Sequence, residues 1–303
     1  MWLQLQIFGF RALWSPYYLT FLLLIALAYF LITGPFRHKF GGGEELKPTA
    51  KEQTFFYLGI ALIYAVKGAP IDVLSHIMMT AHMTQMAIFL IVAPLFIIKG
   101  IPVWIWKKIV EWPVIKQILA LFTKPAISLL FFNGLFSLYH IPAVFDFSKA
   151  SQIAHSGTSI ILFIAAFLMW FSLMPPLKKY ERLAPLPKIG FIFLNGLLIT
   201  PACVLIIFAG EPLYASYTSA GSWMQALALC VPGDVLTGIS TTLSGPEVFS
   251  PLSALHDQQF GGIIMKLIQE IMYGIVMGIV FFSWFNKGNM KIDPKVESAG
   301  EIQ

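Results

Sequence analysis

Twelve residues, SHIMMTAHMTQM from Ser75 to Met86, hold two histidines and four methionines. Imidazole nitrogen and thioether sulfur together suit a soft monovalent cation, Cu(I) above all. Thioethers are neutral, so such a site can sit within a bilayer without burying charge. On a helix turning about 100° per residue, Met83 falls within about 20° of His76 and Met79 about 60° from it. Met79 and Met86 flank His82 on the same count. The spacing therefore predicts one helix face reading His76, Met83, Met79, Met86, His82. Methionine also serves as adaptable packing, and a histidine within a membrane can hydrogen-bond a neighbouring helix. Donors elsewhere in the chain must decide between these uses.

Several donors recur in comparable settings. LYHIPAVFD places His140 before Pro142, with Asp146 further on; His155 follows in SQIAHSG; HDQQFGG joins His256 and Asp257 to two glutamines and paired glycines, with Met265 one turn later. Asp257 is also well placed to cap the helix that follows it. No HExxH, GxSxG or P-loop motif occurs, so hydrolytic and nucleotide chemistry lack their usual signatures and the chain does not read as an enzyme. Cys203 and Cys230 form no CxxC pair and suggest neither a disulfide framework nor a thiolate site.

The elements that must carry these residues are membrane helices. The 303 residues are 57% hydrophobic and 12% charged, about half the charge of a soluble domain. Runs of about 20 apolar residues predict an all-α bundle of seven transmembrane helices at 16–34, 54–69, 73–98, 125–143, 152–174, 188–209 and 262–285. They form a single membrane domain, 1–285, followed by a short tail, 286–303. The lead-in MWLQLQIFGFRALWSP is expected at the interface, with Trp2 and Trp14 at headgroup depth, and not as a cleavable signal. Trp104, Trp106 and Trp112 among lysines predict an interfacial helix at about 103–122. Residues 210–261 read as a long outer loop, with Trp223–Val231 short enough to be re-entrant. Pro94 and Pro201 should kink their helices, and Asn133 and Asn195 should bond between helices.

Lysine and arginine set the orientation. From the N-terminal segment through the six loops to the tail they number 1, 4, 1, 5, 1, 4, 0 and 3, with Lys266 inside the last span. The alternation predicts an outer N-terminus and an inner C-terminus. The charge of +5 thus reflects lysines around a bilayer and not affinity for nucleic acid. Five histidines (76, 82, 140, 155 and 256) then fall at the outer face, and His38 alone at the inner. Glu211, Asp234, Glu247 and Asp257 lie in the outer loop without a basic residue, a field that favours arriving cations.

LQIFGFRALWSPY, SHIMMTAHM, LYHIPAVFD and DQQFGGIIM together resemble the Bacillus-type CtaG family, polytopic assembly factors of cytochrome c oxidase. The resemblance covers essentially the whole chain and departs at Tyr139 and Lys266, where relatives carry tryptophan. It implicates His76, His82, Met83, His140 and Asp257; His155, Met79, Met86 and His256 are added from the residues themselves. It implies a multi-pass protein of the bacterial plasma membrane that helps mature a caa-type oxidase. Its partners would be oxidase subunits and further copper chaperones, its cargo Cu(I) held at the outer face. Two other functions fit the same residues: a haem-handling protein in which His140 and His155 pair as axial ligands, and a scaffold that binds no cofactor.

Overall fold

The computed structural model describes residues 2–43, 46–239 and 245–289. Most of the predicted tail, 286–303, and part of the loop 210–261 lie outside these residues. Every regular element among them is helical. The long helices, in order, are α1 (Pro16–Thr33), α2 (Ala50–Lys67), α3 (Met79–Gly100), α4 (Pro125–Tyr139), α5 (Gln152–Leu173), α6 (Pro185–Ile207) and α7 (Ala254–Asn289). Five segments are long and apolar enough to cross a membrane: Trp2–Thr33, Met79–Gly100, Gln152–Leu173, Pro185–Ile207 and Ala254–Asn286. A sixth counts if Pro113–Phe122 and α4, bent by 87°, form one broken span. The chain is a multi-pass membrane protein.

Local chemistry explains where the helices begin. A Thr49–Glu52 capping box opens α2, satisfying N–H groups that have no partner within the helix. Ser151 Oγ accepts from Ala154 N to open α5. The start of α3 differs from the sequence expectation. Instead of one helix from 73, a short helix, Pro70–Leu74, ends in a turn, and Met78 is extended (φ −127°, ψ 132°) before α3 begins at Met79. The break is stabilised from outside the segment. Asp257 Oδ2 accepts from Met79 N at 2.6 Å and, at the longer distance of 3.4 Å, from Thr80 N. A Cβ on Gly261 would lie 3.0 Å from Met79 O and Thr80 N, so α7 approaches the head of α3 backbone to backbone. Asp257 is therefore a cap as expected, but for α3 and not for its own helix.

Further on, Ile88–Val92 widens to a π-helical turn ahead of Pro94, which accommodates the proline's missing N–H. The predicted interfacial helix is two pieces, Val103–Glu111 and Pro113–Phe122, divided at the Trp112–Pro113 step. The region read as a long loop is partly helical, with Ala220–Leu227 and Gly233–Ile239. Trp223, Leu227, Val231 and Phe249 from it pack with Leu5, Phe8, Leu13, Val73 and Ile77 in a second core.

Loops gather at two ends of the bundle. At one, Gln4 bonds Val248 O, Tyr64 bonds Trp14 O, Tyr217 bonds Ser75 O and Tyr214 bonds His140 O. At the other, Tyr29 bonds Gly100 O, Ser172 bonds Thr123 O and Arg182 bonds Ala120 O. Between them, Asn195 ties α4, α5 and α7 to its own helix, α6. Its side chain accepts from Asn133 at 2.5 Å, donates to Tyr273 OH at 2.8 Å and approaches Met169 Sδ at 3.1 Å. Asn195→Ala is expected to lower stability by about 1–2 kcal/mol, read as thermal unfolding of the protein in detergent.

Candidate functional site

The break before α3 separates the two histidines that the helical wheel had put on one face. His76 sits in the turn and His82 one turn into α3. The predicted alignment of His76 with Met83 and Met79 does not form, because Met78 resets the helical phase. The alignment of Met79 and Met86 with His82 stands, being three and four residues apart on one α-helix.

His76 pairs instead with His155 of α5, their ring centroids 5.2 Å apart. His76 Nδ1 lies 2.8 Å from Asp72 O. A carbonyl only accepts, so the proton is on Nδ1 and the lone pair on Nε2. That Nε2, like His155 Nδ1, is buried and has no partner among the described residues. Both residues line a cavity of about 420 Å³ together with Tyr18, Lys67, Asp72 and Phe89. A carbonyl holding one imidazole nitrogen while the other is left free is how proteins orient metal-binding histidines.

A second group lies among aromatic rings. His82 Nε2 is 3.5 Å from Tyr139 OH, its ring meets Phe145 edge-on at 5.0 Å, and its Nδ1 is buried without a partner. His140, directly after α4, donates from Nδ1 to Phe136 O at 2.7 Å, which again leaves a buried, unpartnered Nε2. Tyr139 stands between them, 6.0 Å from the His82 ring and 5.1 Å from the His140 ring. Met79, Met83 and Met86 are buried in the main core with this group.

The remaining candidates lie apart. His256 is exposed and bonded locally, Nδ1 to Ser253 Oγ at 3.0 Å. Asp257 spends one oxygen on capping α3; its Oδ1 is buried and unpartnered. Asp146 accepts from Ala215 N, Ser216 N and Ser216 Oγ, anchoring the segment after α6. Among the described residues no three His, Cys, Asp or Glu side chains gather in a way that could hold a metal ion.

Sequence reasoning missed the charged groups beside His76. Gln85 Nε2 donates to Asp72 Oδ1 at 2.8 Å while its Oε1 accepts from Lys67 at 3.2 Å, so one amide bridges an acid and a base. Burial raises the Asp72 carboxyl above its ordinary range, against the pull of Lys67. Lys149, only 1% exposed, directs Nζ at Ser75 O, 3.5 Å away. Burial, helped by the charge of Lys67, pulls its ammonium down to about 7. Below that pH a positive charge sits beside the turn that carries His76; above it the charge is lost and the local field favours a cation more. A lone lysine between two apolar runs gives no sign in sequence that it is folded inward.

The family model for the cytochrome c oxidase caa3 assembly factor matches residues 27–287. The chain belongs to that family. No curated protein and no solved structure matches it. For this caa3 assembly factor the match takes in the end of α1, all of α2 to α6 and nearly all of α7, so both histidine groups lie within the family region. The family role is assembly of cytochrome c oxidase.

Proposed function

We propose that this caa3 assembly factor receives Cu(I) at the end of the bundle that carries the histidines and passes it to the oxidase. The metal is cargo. The observation that supports this is the pair of buried, unpartnered nitrogens, His76 Nε2 and His155 Nδ1, on rings 5.2 Å apart beside one cavity. A buried acceptor left empty costs about 1–3 kcal/mol, a cost that a ligand recovers. The small donor number narrows the choice of ion. Zn(II) and Cu(II) require more donors than two imidazoles supply, whereas d10 Cu(I) accepts two in line and prefers nitrogen and sulfur. His76 and His155 would bind first; His82 and His140, with Met79, Met83 and Met86, would form the deeper donors along α3. His256 and Asp257 would act at the rim, the first as an exposed imidazole and the second by fixing the head of α3.

In this reading all seven long helices cross the bacterial plasma membrane, with the N-terminus outside and the C-terminus inside. The alternation of lysine and arginine supports it, as does the sorting of loops to two ends. At 18 residues α2 is about 27 Å long, slightly short of the hydrocarbon core. Its charged residues, Lys51, Glu52 and Lys67, lie near its two ends, where they can reach the interfaces.

The 5.2 Å between the His76 and His155 rings leaves no room for a porphyrin, and the His140 ring lies tilted against Phe136, centroids 4.2 Å apart. Both features favour copper over haem. The test is anaerobic titration of the purified protein with Cu(I) against a chromophoric chelator. One ion per chain is expected, with affinity falling at least about tenfold in His76→Ala and in His155→Ala. Unchanged affinity in both variants would leave the scaffold function standing, and an intense Soret band would restore haem.

A further inference from the structure

Between α6 and α7, on the flank of the bundle, lies a cavity of about 260 Å³ that holds an ion pair. Lys266 Nζ is 2.7 Å from Glu270 Oε1 and donates to Gly196 O at 3.3 Å, Thr200 Oγ1 at 3.0 Å and Gln269 Oε1 at 3.0 Å. Gly196 is the midpoint of α6, a helix of 23 residues. Such a helix is about 34 Å long, close to the thickness of a hydrocarbon core, so the pair lies near mid-membrane. It is not enclosed there. The side chains of Lys266 and Glu270 are 27% and 58% exposed, and Phe193 and Leu197, which line the same cavity, are exposed as well. Charged side chains at this depth are costly and ordinarily face a bundle interior or a partner.

We infer that this flank is an interface between two copies of the chain. Copies in one membrane share an orientation, so a pair is related by a two-fold axis along the membrane normal and one patch faces itself. Lys266 and Glu270 carry opposite charges one turn apart, about 6 Å along α7. Set against its own rotated image, this pair places each carboxylate beside the other copy's ammonium as well as its own. Four alternating charges then close on one another, away from lipid, and the flexible lysine stem covers the rise between them. A partner helix with a single sign of charge would repel one member of the pair. The backbone permits the approach. Gly274 and Gly278 continue the same line of α7, and a Cβ on either would meet no described atom within 4 Å. Small residues at this spacing let membrane helices pack closely.

The experiment reconstitutes the full chain in phosphatidylcholine vesicles, half the copies carrying a donor dye at the C-terminus and half an acceptor. Energy transfer above that of randomly placed copies is expected, falling as lipid is added. Glu270→Gln is expected to weaken association about tenfold. Because that change also removes the intrahelical pair, Gly274→Leu provides the second variant. In a single copy its side chain projects into open space and leucine suits a helix better than glycine, so the Tm holds. Between copies it fills the contact, and the transfer is expected to vanish. Loss in either variant, with the Tm retained, supports the interface. Random-level transfer in the unmodified protein would overturn it, as would full transfer in both variants, which would put the contact elsewhere. A monomer in which Gly274→Leu still blocks oxidase maturation would overturn it too, and give the flank to a helix of the oxidase.

Discussion

Replacing His76 with alanine is expected to abolish maturation of the oxidase while the protein accumulates in the membrane at its normal level. The two halves of that result separate because of where the ring sits. His76 already borders a cavity, so its removal enlarges existing space instead of opening a void in packed core. Asp72 O retains the 2.7 Å bond from Ser75 Oγ, so the turn before α3 keeps its closure. Removing the only imidazole that faces His155 would leave a single nitrogen in the cavity, too few to hold the ion. His82→Ala should also abolish maturation, but it deletes a wholly buried ring beside Phe145 and Tyr139. The cavity left there costs about 2–4 kcal/mol. Immunodetection of the variant in membranes must therefore accompany the oxidase assay. Full oxidase activity in both variants, at normal protein levels, would remove the proposed copper path.

Asp257→Ala is expected to destabilise the protein more than any exposed substitution, and Asp257→Asn much less. Alanine strips the acceptor from Met79 N and Thr80 N, where the carboxylate now caps α3. Losing a cap costs about 0.5–2 kcal/mol, and a buried donor without a partner about 1–3 kcal/mol. Asparagine keeps an oxygen in the same place and should preserve most of the Tm and the Cu(I) affinity. If the carboxylate instead binds the ion directly, asparagine will retain the Tm and lose the affinity. Thermal unfolding and chelator competition on the same two variants distinguish a cap from a ligand.

Much of this protein is written in its sequence. Long apolar runs have one economical solution in a bilayer, a helix that satisfies its own backbone, so the order and approximate limits of α1 to α7 were legible. Asn133 and Asn195 were legible for the same reason: a polar amide at mid-helix must find another helix, and these two found each other. The concentration of histidine at one end of the bundle could also be read from spacing. The partners could not. His76 was assigned to the His82 face because sequence periodicity assumes an unbroken helix, and the break is imposed by Asp257, 178 residues along the chain from Met79. Asp72, Gln85 and Lys149 gave no local signal, because their burial depends on which helices close over them. Short-range regularity fixes what a segment becomes, while a site made of lone pairs from separate helices exists only once packing has decided which ones meet.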